Sequence, residues 1–429
     1  MTKISIVGGR VIDPAQKLDA VTDLHIADGK IIGAGQAPDG FNAEQTIDAH
    51  ERWVLPALID ASARLREPGL KYRANLDSEL HAALKAGIGG LVCPPDTDPP
   101  LDEPGLVEML CHRASQRNGT HLYPQGALTV GLEGEVITEM AQLTEAGCIG
   151  FGQPTCLPRN TKTLLRALQY AATFNFTVWL HPQDAWLGEG GVAHGGVLAS
   201  RLGLAGIPVS TETIALHTIF DLVRQTGASV HLCRLSSAAG VELVRQAKAE
   251  GLSVSADVAV NHLHLIDLDI GFFDSRFRLD PPLRSQRDRD ALRAGLLDGT
   301  VDLVCSDHTP VADENKHLPF AETEPGATAI ELLLPLTMKW ARDSGASLTD
   351  LLASVTSKAA RIVGCPGGSL APDEPADVTL YDPAIEWQVN ESSLNSHCQV
   401  TPWSGLSLVG RGHVAVMSGR VMPEPTAAQ

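Results

Sequence analysis

The feature that most constrains the fold of this chain is the alternation of short apolar runs with amphipathic helical stretches between residues 53 and 365. Eight runs have the length and composition of strands, and polar or proline-containing residues follow them. They are "VLPALIDA", "GIGGLVCPP", "HLYPQGA", "GCIGFG", "FTVWLHPQ", "ASVHLCRL", "LSVSADVAV" and "VDLVCSDH". Helical stretches such as "LDSELHAALKAG" and "TKTLLRALQYAATF" separate them. Eight strands alternating with helices predict an α/β fold of the (β/α)8 TIM-barrel type over 53–365.

The two ends of the chain have a different pattern. Residues 1–52 alternate short β-rich runs with Gly/Asp turns, and residues 366–429 do the same in "ADVTLYDP", "EWQV" and "GHVAVMSGRVM". Each end is too short to bury a core by itself. The sequence therefore predicts that 1–52 and 366–429 pair into one small β-sandwich domain beside the barrel.

Charge and cysteine usage restrict the partners and the compartment. The chain has 33 Lys and Arg against 51 Asp and Glu, a net charge of -18, which argues against nucleic acid and anionic membranes as partners. Its eight cysteines form no Cys-x-x-Cys pair and are expected to be reduced thiols. The start shows no signal or transit pattern, and no run of eighteen apolar residues is present. These features predict a cytoplasmic protein that does not enter a membrane.

In a barrel of this type, chemistry is carried at the carboxyl ends of the strands. That rule selects a ring of mouth residues: Ser62, Arg64, Arg66, Asp96, Gln153, Pro154, His181, Arg234, Asn261, His262 and Asp307. A binuclear metal site needs about four to six carboxylate or imidazole ligands, and this ring supplies two good ones, His181 and Asp307. Arg64 and Arg234 stay protonated and repel a divalent cation.

Several stretches, in order along the chain, resemble one known family. They are "LREPG", "CPPDTDPP", "YPQGALTVGLEGE", "VELVRQAKAEGL", "DPPLRSQRDRDAL", "CSDHTP" and "GGSLAPDEPADVTLYDP". This ordered set resembles the dihydroorotases of the bacterial, aspartate-transcarbamoylase-associated class, within the amidohydrolase superfamily. The resemblance covers nearly the whole chain and implies an amidohydrolase-like barrel.

The resemblance also implies where metal ligands would stand, and here the chain departs from the family. The His-x-His pair falls on Ser62 and Arg64, the bridging acidic ligand on Gln153 and Pro154, and the strand-six histidine on Arg234. His181 and Asp307 are retained, and Asp307 is the family's metal ligand and general base. Losing four of six ligands, two of them to arginine, predicts a degenerate metal site and no bound cofactor.

The positions that the family uses to bind the substrate carboxylate are also altered. The arginine is kept as Arg66, but an asparagine is replaced by Asp96, the Asn before "PPLR" by Asp280, and a histidine by Val311. An aspartate beside a dianionic ligand adds repulsion where a hydrogen bond was needed. These four residues are interpreted as a vestigial substrate site.

Three functions are compatible with this pattern. The first is a pseudoenzyme, not itself catalytic, that serves as a structural subunit with the aspartate transcarbamoylase catalytic chain in pyrimidine biosynthesis, in a homo- and hetero-oligomer. The second is an active amidohydrolase for a cyclic amide, with a rewired or single-metal site built on His181, Asp307 and Arg66. The third is a regulatory subunit that binds an anionic metabolite between Arg64, Arg66 and Arg234. The first is the expected function, with no stoichiometric divalent metal.

Other residues that suggest chemistry have plainer interpretations. His181 and Asp307 are expected to be structural, through an ion pair with Arg64 or Arg234. The His-x-His of "NHLHL" has no acidic or cysteine partner nearby in sequence, so packing is expected for it. His308 should point away from the mouth, because adjacent strand residues face opposite sides. Cys233 and Cys305 lie near strand ends without a positioned base and are expected to be buried thiols.

Overall fold

A computed structural model describes residues 2–117 and 119–423 of the chain. The described residues before the barrel form seven strands and no helix. They are β1 (Lys3–Val7), β2 (Arg10–Asp13), β3 (Leu18–Val21), β4 (Leu24–Ala27), β5 (Lys30–Ala34), β6 (Gln45–Asp48) and β7 (Trp53–Pro56). Gly/Asp turns connect several of these strands. At Gly29 the turn needs a left-handed backbone conformation, with φ at +79°, and glycine adopts it without steric strain.

The barrel strands follow in chain order, with short extra strands among them. They are β8 (Leu58–Asp60), β9 (Ile88–Cys93), β10 (His121–Pro124), β11 (Gly126–Ala127), β12 (Phe151–Gln153), β13 (Thr177–Leu180), β14 (Ala193–His194), β15 (Gly206–Ile207), β16 (Ser229–Leu232), β17 (Val254–Ala259) and β18 (Leu303–Cys305). The third barrel strand is interrupted at Gln125 into β10 and β11, and the β14–β15 pair lies outside the barrel. The eight predicted strand regions all form strands.

Within residues 2–117 and 119–423, twelve α-helices separate or follow these strands. They are α1 (Leu76–Lys85), α2 (Pro104–Ser115), α3 (Met140–Glu145), α4 (Thr161–Phe174), α5 (Val197–Leu202), α6 (Ser210–Thr226), α7 (Ala238–Ala249), α8 (Gln286–Asp298), α9 (Asp313–Lys316), α10 (Leu333–Ser344), α11 (Leu348–Ala353) and α12 (Ser357–Val363). Several begin at a capping side chain: Asn75 accepts from the backbone N–H of Ser78, and Ser285 from that of Asp288. Among the described residues, no helix is long and apolar enough to cross a membrane.

The barrel closes between its first and last strands. The parallel strands run in the order β8–β9–β10 and β11–β12–β13–β16–β17–β18. Ala63 and His308 form a parallel bridge, and the backbone N–H of Arg64 donates to the carbonyl of His308 at 2.8 Å. Apolar residues such as Trp179 and Leu303 fill the interior. The predicted (β/α)8 barrel is confirmed.

Both ends of the chain meet in one β-sandwich, as predicted. The remaining strands are β19 (Val378–Gln388), β20 (Ser407–Met417) and β21 (Arg420–Val421). One sheet has the order β5–β4–β1–β6, and the other joins the two ends as β21–β20–β19–β7–β2–β3. The run "VLPALIDA" is divided: β7 pairs with β2 and β19 in the sandwich, and the chain enters the barrel after Ala57.

A C-terminal excursion between β19 and β20 packs back on the barrel. Trp403 is 4% exposed, and its indole N–H donates to Asn261 Oδ1 at 2.7 Å. The hydroxyl of Ser396 donates to Glu79 Oε2 at 2.7 Å. The loop 389–404 thus belongs to the body that carries the barrel mouth, not to the sandwich alone.

Candidate functional site

The barrel topology brings the predicted mouth residues together from separate strands. Arg64 follows β8, Asp96 follows β9, Arg234 follows β16 and Asp307 follows β18. Arg64 is 8% exposed and Arg234 is 3% exposed, so both guanidinium groups are held inside the protein. Charges this deeply buried need partners, and the partners decide what the site can do.

Arg64 is the centre of the network. Its Nε donates to Asp96 Oδ2 at 2.7 Å. Its Nη1 donates to Asp307 Oδ1 at 3.2 Å and to the hydroxyl of Thr309 at 3.0 Å. Burial lowers the pKa of Arg64, but the carboxylates of Asp96 and Asp307 more than offset this and raise it above its ordinary value. The guanidinium is therefore a fixed cation.

Arg234 is held mainly by the backbone. Its guanidinium donates to the carbonyl of Asp280 at 2.9 Å and to that of Pro154, and Nη1 lies 3.6 Å from Asp307 Oδ1. Its own backbone N–H donates to Asp257 Oδ1 at 2.7 Å, with φ at +59°. The side chain thus fills the position that the resemblance assigns to a histidine ligand.

The two carboxylates of the network respond differently to it. Burial raises the pKa of Asp307, and the opposing charges of Arg234 and Arg64 do not fully cancel this. The pKa of Asp96 is lowered, because the charge and hydrogen bond of Arg64 outweigh the effect of burial. The predicted ion pair between Asp307 and the arginines is confirmed. Asp96 was interpreted as a source of repulsion, and the structure instead pairs it with Arg64.

His181 does not join the ion pairs. Its Nδ1 lies 3.1 Å from the carbonyl of Cys233, which accepts the Nδ1–H and leaves the lone pair on Nε2. Nε2 is buried without a hydrogen-bond partner in the described part of the chain. Burial, with help from the charge of Arg234, lowers the pKa of His181 to about 4. It is therefore a neutral imidazole at physiological pH.

Three other predicted positions take no part in charge pairing. The Gln153 side chain accepts from the Thr129 hydroxyl at 3.0 Å and donates to the Leu132 carbonyl at 2.9 Å, so it ties a loop instead of entering the mouth. Pro154 contributes only its carbonyl. Ser62 is 7% exposed, and its backbone N–H donates to Asp60 Oδ1 at 3.2 Å.

Of the four residues interpreted as a vestigial substrate site, Arg66 and Val311 are buried, and Asp96 and Asp280 are partly exposed. Arg66 is 7% exposed and donates from Nε to the Pro310 carbonyl at 3.1 Å. Burial, then the charge of Arg64, lowers the pKa of Arg66 to about 10. Val311 is 1% exposed. The arginines that the anion-binding alternative required have acceptors of their own.

These residues do not fit the binuclear metal centre that the resemblance implies. Asp307 already accepts from Arg64, and a second guanidinium lies within 4 Å of the same oxygen. A divalent cation there would meet two fixed positive charges, with His181 and Asp307 as the only retained ligands.

Three further histidines named from the sequence each have a hydrogen-bond partner at Nε2. His308 points away from the mouth, as predicted, and its Nε2 lies 2.7 Å from Glu79 Oε2 with both side chains fully buried. His262 and His264 lie at a 3₁₀ turn, Val260–Leu263, instead of on an extended segment. Their Nε2 atoms donate to the carbonyls of Pro281 and Leu336 at 3.1 and 2.9 Å, which is the expected packing role.

Sequence reasoning missed three buried carboxylates. Glu79 pairs with His308, and Asp257 lies 2.9 Å from His231 Nε2. Asp60 accepts from the hydroxyl and backbone N–H of Ser306, and burial raises its pKa to about 6. Asp60 and Asp257 stand in apolar strand runs, which is the signal that could have singled them out.

Comparison with known proteins shows to which family this chain belongs. A family model described as "Dihydro-orotase-like" matches residues 51–239. A dihydroorotase-like protein of Pseudomonas putida is 43% identical over 98% of this chain and 99% of its own. A dihydroorotase of a Geobacter species is 36% identical over 97% of this chain and 98% of its own. The solved L-hydantoinase (dihydropyrimidinase) of Arthrobacter aurescens shares the fold, with a TM-score of 0.85 and 23% identity over 99% and 98% of the two chains.

These findings contradict the prediction that the chain is not an enzyme. A relative that is 36% identical to it and matches it over nearly its whole length is named dihydroorotase, a name that denotes a hydrolytic enzyme. The altered residues at the family's ligand positions concern metal binding at the mouth. They do not establish that the chain is catalytically inactive.

Proposed function

This chain belongs to the dihydroorotase-like family of the amidohydrolase superfamily, and we propose that it works as a subunit of a complex with the aspartate transcarbamoylase catalytic chain. The observation that carries the proposal is the contrast between mouth and fold. At the mouth, Arg64 pairs with Asp96 and with Asp307, so these charges neutralise one another. The sequence similarity to the relative from Pseudomonas putida extends over 98% of this chain. The similarity thus covers nearly the whole chain, while the charged residues at the mouth pair with one another. This contrast favours a function that depends on the protein surface and its contacts with a partner.

The surface around the mouth supports this proposal. The loops after β13 and β17 pack on each other through a small apolar cluster that includes the buried Val192 and Ile270, with the partly buried Phe277 against it. The same loops leave large apolar side chains in solvent: Trp186 is 63% exposed and Phe272 is 90% exposed. Apolar groups of this size on mouth loops suit burial against another protein.

Charge and thiol chemistry agree with the same setting. All eight cysteines are free in the structure, as expected of a protein that works in the reducing cytoplasm. The net charge of -18 disfavours nucleic acid as the partner, so the proposed partner is a protein. The proposed location of the complex is the cytoplasm, in line with the free cysteines. The same composition is compatible with copies of this chain joining the complex as a homo- and hetero-oligomer.

Co-purification of this chain with the transcarbamoylase catalytic chain of the same cell tests the proposal. The mass of the mixture, the thermal stability of the transcarbamoylase and its activity are compared with and without this chain. We expect one species that contains both chains and a transcarbamoylase that is more stable in it. Independent migration at micromolar concentration, with stability and activity unchanged, would refute the proposal.

A matched variant sharpens the test. Phe272→Ser removes one exposed aromatic side chain from the mouth loops and should weaken association. Val21→Ser, on the sandwich, removes another exposed apolar side chain and serves as the control. Dihydroorotate turnover is measured on the same preparations, because relatives of this chain are named dihydroorotase.

A further inference from the structure

A second group of ligand-type side chains lies inside the barrel, below the mouth. His231, Cys233 and Asp257 each offer one donor atom, and these atoms lie within 4.8 Å of one another. The side chains of His231 and Asp257 are fully buried. None of the three stands at a position that the family resemblance assigns to a metal ligand.

The barrel topology explains why these donors converge. His231 lies on β16 and Cys233 directly follows it, and residues two apart on a strand face the same side. β17 runs parallel to β16 with His231 beside Ser255, so Asp257, two residues further along, faces the same interior. Two neighbouring strands therefore present an imidazole, a thiol and a carboxylate to one point.

Outer hydrogen bonds hold these side chains in the orientation that ligands need. His231 Nδ1 lies 2.7 Å from the Ser255 hydroxyl, which can accept the Nδ1–H and leave the lone pair on Nε2. Asp257 Oδ1 accepts from the backbone N–H of Arg234 at 2.7 Å. The two inner atoms, His231 Nε2 and Asp257 Oδ2, then face each other at 2.9 Å.

We propose that His231, Cys233 and Asp257 form a buried site for a thiophilic divalent cation of the zinc class. Cys305, on the adjacent strand β18, offers a further sulfur ligand nearby, with its Sγ 3.4 Å from Asp257 Oδ1. Imidazole, thiolate and carboxylate are the three ligand types of zinc sites. A Cys233 thiolate and the Asp257 carboxylate together neutralise the charge of the cation, which makes its burial feasible.

Binding exchanges protons for the cation. The proton of the Cys233 thiol and the proton in the hydrogen bond between His231 Nε2 and Asp257 Oδ2 would be released to solvent. Burial raises the pKa of Cys233, so without a cation the thiol stays protonated and the three side chains pack as a hydrogen-bonded core. This proposal revises the expectation of no stoichiometric metal, which was argued from the mouth positions alone.

The test uses the full-length chain produced in cobalt-supplemented medium, so that the ion is present during folding. We expect about one cobalt ion per chain and a near-ultraviolet thiolate-to-cobalt charge-transfer band. Cys233→Ser should abolish the band. Cys111→Ser, which changes a thiol on α2 and none of the three proposed ligands, should keep it. A cobalt content below about a tenth of the chain concentration, or a band that is the same in Cys233→Ser, would overturn the proposal.

X-ray absorption of the loaded, unaltered chain decides the question if Cys233→Ser does not fold. A sulfur ligand at about 2.3 Å together with lighter N/O ligands supports the site. A shell of N and O alone overturns it. Zinc analysis of the protein purified without added metal gives the third readout, and stoichiometric zinc is the expected result.

Discussion

Arg64 and Asp96 form a buried pair, with Arg64 Nε donating to Asp96 Oδ2 at 2.7 Å although 32 positions separate them in sequence. Both residues depart from the family pattern that the sequence resembles. Considered separately, Arg64 replaces a metal ligand of the family pattern, and Asp96 adds a negative charge to the substrate site. In the structure they compensate each other, because the cation of Arg64 stands where Asp96 and Asp307 need one. The two substitutions are thus one physical change.

The first prediction concerns the stability of this network. Arg64→Met leaves the carboxylates of Asp96 and Asp307 buried without their cation, which should cost about 3–5 kcal/mol of unfolding free energy. Urea denaturation measures it. Arg224→Met removes a solvent-exposed pair with Glu250 and should cost far less, because solvent screens that pair. Equal losses in the two variants would show that the mouth network is not stabilising. Adding Asp96→Asn should recover part of the loss in Arg64→Met.

The second prediction concerns pH. The pKa of His181 is about 4 in the folded chain, below the roughly 6.5 of an unfolded histidine. Between these values the unfolded chain binds the extra proton, so folding stability is lost as pH falls, by about 1.4 kcal/mol per pH unit. In His181→Gln this contribution should disappear from the slope of unfolding free energy against pH. His217→Gln, at an exposed position of α6, is the control and should keep the slope of the unaltered chain.

The third prediction concerns the mouth as a metal site. Ser62→His with Arg64→His restores two ligands of the family pattern but keeps Arg234 near Asp307. Because that guanidinium still opposes a divalent cation, the double variant should contain no more zinc than the unaltered chain. Elemental analysis of both proteins measures the difference. An additional equivalent of zinc in the double variant would mean that Arg234 does not control the site.

The fourth prediction concerns the excursion between β19 and β20. Glu79 accepts from the Ser396 hydroxyl at 2.7 Å and from the His397 backbone N–H at 3.0 Å, while it pairs with His308. Glu79→Gln weakens these charge-assisted bonds, so amide exchange in 389–404 should become faster. Hydrogen-exchange mass spectrometry measures it. Glu242→Gln removes an exposed pair with Arg245 and should leave exchange in that loop unchanged.

Much of the fold could be predicted from the sequence, because strand and helix periods are local. The alternation over 53–365 indicated the barrel, and the rule that parallel strands end at one face selected Arg64, Arg234 and Asp307 as neighbours. The same local reasoning joined "VLPALIDA" into one strand. The structure divides that run between two sheets, and only long-range pairing with β2 and β19 determines where.

By itself the sequence determined the architecture, the pairing of the two ends and the residues that surround the barrel mouth. The tertiary structure alone decided which charges meet: Asp307 lies 243 positions from Arg64, and no local pattern specifies that contact. It also turned Gln153 away from the mouth and gathered His231, Cys233 and Asp257 beneath it. The physical reason is that burial makes each charge depend on partners that folding brings from distant parts of the chain.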